Sequence, residues 1–176
     1  MYDTGYVSSP DDVTLVPGAA SVVTQLREAG FRVVVVTNQS GIGRGFFTHD
    51  EAAAVADRLT ELLAEQGAWV DATYCCPHSP DDGCECRKPK PGMLHRAARE
   101  LDLDLSRSFM IGDRLSDCQA AQAAGCQPIL LSETGSALSI SPPCIVLSEL
   151  AQLPGLIQSL VCSKPQVEVA DKRQVI

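Results

Sequence analysis

Residues 33–45 read VVVVTNQSGIGRG. Four consecutive valines suit a strand covered on both faces, since β-branched side chains pack well on a pleat and neither face asks for polar alternation. The run stops at Thr37-Asn38-Gln39-Ser40, and a glycine-rich loop follows. Upstream, PGAASVVTQLREAG (17–30) predicts a helix, with Pro17 near its first turn, Val22, Val23 and Leu26 on one face, and Gly30 as its stop. Downstream, THDEAAAVADRLTELLAEQG (48–67) opens on a capping box, Thr48 with Glu51, and closes at Gly67. Helix, doubly covered strand and helix in succession point to an α/β domain with a mainly parallel sheet.

The rest of the chain continues the alternation. Val70 to Cys76 reads as a strand, and PGMLHRAARELDL starts a helix at Pro91. SFMIGDRLSD (108–117) is a short apolar strand ending in Gly-Asp, followed by the helix SDCQAAQAAG; CQPILL and CIVL read as two further strands. SKPQVEVADKRQVI, after Cys162, reads as a frayed tail. The expectation is one domain over residues 1–162 with a disordered tail at 163–176. A net charge of −8 argues against coating nucleic acid or an anionic membrane. No run approaches the roughly 20 apolar residues of a membrane span, and the polar start MYDTGYVSSPDD carries no signal-peptide pattern. A cytoplasmic monomer acting on a small molecule is the expectation. Of the eight cysteines, Cys118, Cys126, Cys144 and Cys162 read as small buried hydrophobes. Trp69 reads as core, and His49 and His95 as solvated.

The other four cysteines crowd into CCPHSPDDGCECRKPKPG (75–92). Cys76-Pro-His78 and Cys84-Glu-Cys86 are two i, i+2 pairs, and in extended chain each pair projects to one side. SPDDG between them is a turn that folds one pair onto the other. Cys76, His78, Cys84 and Cys86 make a closed tetrahedral set suited to structural Zn²⁺, with Cys75 as a competing ligand. Arg87 and Lys88 follow at once. Two cations on a rigid support make a clamp for phosphate; the bland alternative is a solvated surface pair.

Ligands of an open parallel sheet sit beyond the carboxyl ends of its strands. Thr37, Asn38, Gln39 and Ser40 stand at one such end, offering hydroxyls and amides to an anion; an Asx-type turn is the structural alternative. Asp113 stands at another, with Arg114 beside it and Asp117 one turn on. A carboxylate there suits Mg²⁺, although it could equally be a helix cap.

VTNQSGIGRG, CPH…CECRKPKPGM and IGDRLSD together resemble the haloacid dehalogenase phosphohydrolases, and within them the zinc-loop branch of heptose bisphosphatases. The resemblance covers the chain to about Leu150. It implies a Rossmann-like parallel sheet with helices on both faces and Mg²⁺-dependent removal of the 7-phosphate of a heptose 1,7-bisphosphate through an aspartyl-phosphate. By motif, Thr37 and Lys88 contact the phosphate, Asp113 ligates Mg²⁺, and Cys76, His78, Cys84 and Cys86 hold zinc. Arg87 helps select the sugar bisphosphate, Arg114 is the basic residue after the motif aspartate, and Asp3-Thr4-Gly5-Tyr6 contact substrate. Histidinol phosphate is the alternative substrate, and a non-catalytic phosphosugar-binding protein the alternative class.

The resemblance also implies a central first strand ending in Asp-x-Asp-Gly, which would lie just before Asp3. Neither Asp11-Asp12 nor Asp81-Asp82 replaces that pair. The expectation is a chain that begins downstream of its nucleophile, at an internal methionine, and does not turn over as written. Its two interior strands would face an open position.

Overall fold

The computed structural model describes residues 6–132, 144–162 and 173–175. Its elements in chain order are α1 (Ala19–Glu28), β1 (Phe31–Asn38), α2 (Ser40–Gly43), α3 (His49–Ala64), β2 (Ala72–Cys76), α4 (Gly92–Leu101), β3 (Ser108–Gly112), α5 (Leu115–Ala124), β4 (Gln127–Leu131), β5 (Ile145–Leu147), α6 (Leu153–Cys162) and β6 (Arg173–Val175). All strands pair in parallel, in the order β2-β1-β6-β3-β4-β5.

The valine run is covered on both faces, as its composition requires. Val34 and Met110 pack with Leu94, Ala97 and Ala121 of α4 and α5. Val33 and Phe109 face the other way, onto Val22 and Leu26 of α1 and Ile157 of α6. Alternate residues of one strand thus feed two cores, the mark of a sheet layered by helices on both sides. Gly30 ends the first helical unit at φ +86°, a conformation glycine adopts without a Cβ clash. The Thr48–Glu51 capping box forms reciprocally: Thr48 N–H donates to Glu51 Oε2 at 2.7 Å, and Glu51 N–H donates to Thr48 Oγ1 at 3.2 Å.

Several readings of the sequence need amendment. The glycine-rich loop begins as a helical turn, α2. Helix α6 went unread because Pro154 and Gly155 look like breakers, yet a proline in the first turn removes an N–H that has no partner anyway. Trp69 is not core: it is 52% exposed, with the Arg27 guanidinium 4.2 Å above its ring. Cys118 and Cys126 are buried, but Cys144 is half-buried and Cys162 exposed.

The position between β1 and β3, expected to stand open, holds β6. It pairs with Phe31–Val33 on one side and Ser108–Phe109 on the other. Residues 173–175, expected within a frayed tail, are therefore a strand at the middle of the sheet. Residues 163–172 and 176 lie outside the described residues.

Candidate active site and metal cluster

β1 pairs with β2 through Asn38↔Cys76, so the end of the valine strand and the start of the cysteine loop lie side by side. Cys76 is fully buried and Cys75 exposed, because neighbours on a strand point to opposite faces. That parity decides between the two candidate ligands. Cys76, His78, Cys84 and Cys86 bring their ligand atoms within 4.8 Å of one another. Cys76 Sγ lies 3.3 Å from Cys86 Sγ and 3.7 Å from Cys84 Sγ; His78 Nδ1 lies 3.2 Å from Cys86 Sγ and 3.6 Å from Cys76 Sγ. A tetrahedron with Zn–S bonds of about 2.3 Å has edges of about 3.8 Å, so the donor set fits zinc after a slight expansion. Burial, and then the neighbouring Cys76 and Cys84 thiols, push the Cys86 thiol up to about 12. Crowded thiols resist ionising together, and a divalent cation offsets that resistance.

The loop is tied down around this cluster. Asp82 accepts from Ser79 N–H at 2.7 Å and Lys90 Nζ donates to Gly83 O at 2.9 Å. Gly43 N–H donates to Pro77 O at 2.8 Å, and a Cβ on Gly43 would stand 2.6 Å from Ser79 N. Only glycine admits the hairpin so close to the loop after β1.

Lys88, two residues past Cys86, is held by three residues, two on β1 and one on α5. The Asn38 amide grips its peptide from both sides, Nδ2 donating to Lys88 O at 3.0 Å and Oδ1 accepting from Lys88 N–H at 3.1 Å. Lys88 Nζ donates to Val36 O at 2.8 Å and lies 2.8 Å from Asp117 Oδ1. Asp117 is itself buried, and its Oδ2 accepts from Arg114 N–H at 3.1 Å at the start of α5. Thr37 Oγ1 accepts from Gln39 Nε2 at 3.1 Å, and Ser40, buried, shares a 3.1 Å hydrogen bond with the Tyr6 hydroxyl. The Tyr6 ring packs on Phe46 and Phe47. Arg87 donates to His78 O at 3.3 Å.

Thr37, Asn38, Gln39, Ser40, Tyr6 and Lys88 thus gather at the carboxyl ends of β1 and β2. Asp113 and Arg114 stand exposed at the end of β3. Asp3, Thr4 and Gly5 lie outside the described residues. Sequence reading gave no role to Asp117, which stands in the first turn of α5, three residues after the extended Arg114 cap. It also passed over a true Asp-x-Asp, Asp102-Leu103-Asp104. Asp102 caps α4 and Asp104 caps the turn before β3, at the opposite end of the sheet from Lys88. Among the described residues, then, no such pair reaches the strand ends that carry Thr37 and Lys88.

A cleft of about 650 Å³ opens beside this cluster, lined by Phe46 and Phe47 from the loop after β1, His49 at the start of α3, and Pro77, His78 and Asp82 from the hairpin.

A parallel α/β sheet that gathers a hydroxyl, an anchored lysine and a carboxylate at its carboxyl ends is an arrangement suited to a phosphoryl group. The haloacid dehalogenase-like hydrolase family profile matches residues 3–125, and the chain belongs to that family. A D-glycero-beta-D-manno-heptose-1,7-bisphosphate 7-phosphatase of Bordetella bronchiseptica is 46% identical over 131 residues, 74% of this chain and 73% of that protein. One from Yersinia pestis is 40% identical over 167 residues, 89% of each. Among solved structures, the D,D-heptose 1,7-bisphosphate phosphatase of B. bronchiseptica, complexed with magnesium and phosphate, is 39% identical. It superposes with a TM-score of 0.80 over 88% of this chain and 89% of that one.

Proposed function

We propose that this chain is a phosphatase-type protein for the 7-phosphate of D-glycero-D-manno-heptose 1,7-bisphosphate. The observation that carries the reading is the anchoring of Lys88: a zinc-suited cluster fixes the chain just before it, Asn38 clamps its peptide, and Asp117 orients its ammonium. Relatives at 40–46% identity are named for this substrate.

Each residue has a physical task in that reading. Lys88 contacts the phosphoryl oxygens, where a preorganised cation is worth most as negative charge builds. Thr37 turns its hydroxyl to another of those oxygens, and Asn38, Gln39 and Ser40 shape the floor around it. Arg87, carried on the hairpin, faces the rest of the bisphosphate, with Arg114 across the site and Tyr6 against the sugar. Asp113 is the carboxylate through which Mg²⁺ would be held; Mg²⁺ bound by one or two carboxylates, phosphate oxygens and water suits such a place and supplies charge neutralisation. Cys76, His78, Cys84 and Cys86 would hold Zn²⁺ with every coordination position filled by protein, so that metal shapes the hairpin and takes no part in chemistry. Thiolate ligands of this kind persist in a reducing cytoplasm, where the reading places a monomeric enzyme.

The test is equilibrium binding of heptose 1,7-bisphosphate and of histidinol phosphate, both with magnesium, alongside phosphate release from the same samples. The reading expects the heptose ester to bind at least tenfold tighter, and Lys88→Ala to weaken it about a hundredfold. Preference for histidinol phosphate, or indifference to Lys88→Ala, would overturn it.

A further inference from the structure

Two thiols outside the metal cluster meet on one face of the sheet. In β5, Ile145 and Leu147 pack into the core built on α1 and α6. Neighbours in extended chain point to opposite faces, so Cys144, directly before Ile145, points to the face covered by α4 and α5. β5 lies beside β4, and α5 packs over β4 and β3. Cys118, one residue past Asp117 on α5, is fully buried there, while Cys144 is half-buried.

The strand parity and the side-chain contacts agree. The Cys144 thiol acts on the Cys118 thiol both through its charge and through a side-chain hydrogen bond. Burial first, and then this neighbour and Asp117, push Cys118 up to about 12. Cys118 therefore stays a thiol at neutral pH, and the half-buried Cys144 is the member that meets a reagent from solvent. Neither belongs to the cluster of Cys76, His78, Cys84 and Cys86.

We propose that Cys118 and Cys144 are a modification site, a thiol pair that hydrogen peroxide closes to a disulfide and a thiol reductant reopens. Cys144 gives up its proton, and its sulfur attacks one peroxide oxygen. The O–O bond breaks, hydroxide takes up the proton, and a sulfenic acid and water result. The Cys118 sulfur then attacks the sulfenyl sulfur. The S–O bond breaks, and hydroxide leaves with the Cys118 proton as a second water. Two thiols lose two electrons, and one peroxide is reduced to two waters. β5 has three residues and pairs with β4 alone, so it is the element that shifts to bring the sulfurs to bonding distance. Because Cys118 follows Asp117 directly, the bridge ties the turn that positions Lys88 to the outer strand of the sheet.

The probe is hydrogen peroxide added to the full, zinc-loaded chain, followed by alkylation of the remaining thiols in denaturant and proteolysis. Cleavage after Glu133 and Glu149 puts Cys118 and Cys144 on separate peptides and Cys162 on a third. Mass spectrometry should find the first two joined in most chains, with fragmentation placing the bond at Cys118 and not at Cys126; dithiothreitol should part them. Cys144→Ser, treated alike, should give no such pair and leave Cys118 alkylated. The oxidised wild-type chain should melt about 5 °C above the oxidised variant, the worth of a closed loop, and reductant should remove most of that gap. Any damage to the metal cluster is common to both samples. Cys118 recovered alkylated while the exposed Cys75 and Cys162 are oxidised, a bridge to Cys126 or Cys162 instead, or equal melting temperatures after oxidation would each overturn the proposal.

Discussion

Gly112 ends β3 without a side chain because Asp117 occupies the space a Cβ would take. A methyl group built there would lie 2.2 Å from Asp117 Oδ2 and 2.4 Å from its Cβ and Cγ, far inside ordinary contact. Gly112→Ala therefore forces Asp117 back by about 1 Å, since a packed interior has no slack to absorb the clash. That retreat breaks the 2.8 Å contact with Lys88 Nζ and the 3.1 Å hydrogen bond from Arg114 N–H. Overpacking alone costs about 1–3 kcal/mol, and leaving a buried ion without its partner about 3–5. Because Lys88 retains Val36 O and some access to water, the full ion penalty does not apply; about 1 kcal/mol for the lost hydrogen bonds added to about 2 for overpacking gives about 3 kcal/mol. With a urea slope of about 2 kcal/mol/M, the unfolding midpoint should fall by about 1.5 M. A double-mutant cycle isolates the cause. In an Asp117→Gly background, which removes the Cβ as well as the carboxylate, the clash is gone, so adding Gly112→Ala should cost almost nothing. Equal costs in both backgrounds would show that Gly112 matters for some reason other than Asp117, and the account of Lys88 positioning would fail with it.

Three further expectations are open to direct measurement. Metal analysis of purified protein should find about one zinc per chain. Cys84→Ser or Cys86→Ser should abolish it with a loss of several kcal/mol in stability, while Cys75→Ser should leave it intact; zinc lost with Cys75 would reverse the ligand assignment. Asn38→Ala, which frees the Lys88 peptide without touching its charge, should weaken phosphate-ester binding about tenfold, as read by calorimetry, with zinc content unchanged. The Glu51 carboxyl is held below its usual range by the backbone and side-chain hydrogen bonds of Thr48. A depressed carboxylate contributes stability above its unfolded-state value and loses it as pH falls through the folded one. The melting-temperature gap between wild type and Glu51→Ala should therefore hold at neutral pH and narrow in acid; a gap that widened there would contradict the capping geometry.

The order of elements was legible wherever composition encodes one physical demand. The valine run had to be covered on both faces, and Thr48 with Glu51 marked a helix start that formed as read. The cluster was legible because two i, i+2 pairs separated by a turn leave few other geometries. Long-range placement was not. Asp117 gains its role from a lysine 29 positions earlier, and nothing local distinguishes it from any other helix-capping acid. Trp69 reads as core by residue type, but its tertiary partner is the Arg27 guanidinium, and one face stays in water. β6 was illegible for a sharper reason: a three-residue strand has no periodicity, and its pairing rests on backbone groups that any sequence carries.

The pairing of Lys88 with Asp117 bears on what the site can select. A lysine only 13% exposed with no counter-ion would be costly to bury. Asp117 removes that cost, but it also sets a threshold, because an incoming anion must compete with a carboxylate already 2.8 Å away. A singly charged ester offers Lys88 little that Asp117 does not. A phosphate dianion offers twice the charge and several acceptor oxygens, and Thr37 and the backbone at the end of β1 contribute only to a ligand with more than one such oxygen. On the proposed reading of Lys88 as the phosphate contact, the carboxylate beside it would sharpen discrimination between phosphate and monovalent anions, since removing it would strengthen attraction to both and erase the difference between them. Asp117→Asn should accordingly raise affinity for chloride and acetate more than for phosphate, measured as competition in one titration. A uniform gain across all three anions would mean that the pair serves stability alone.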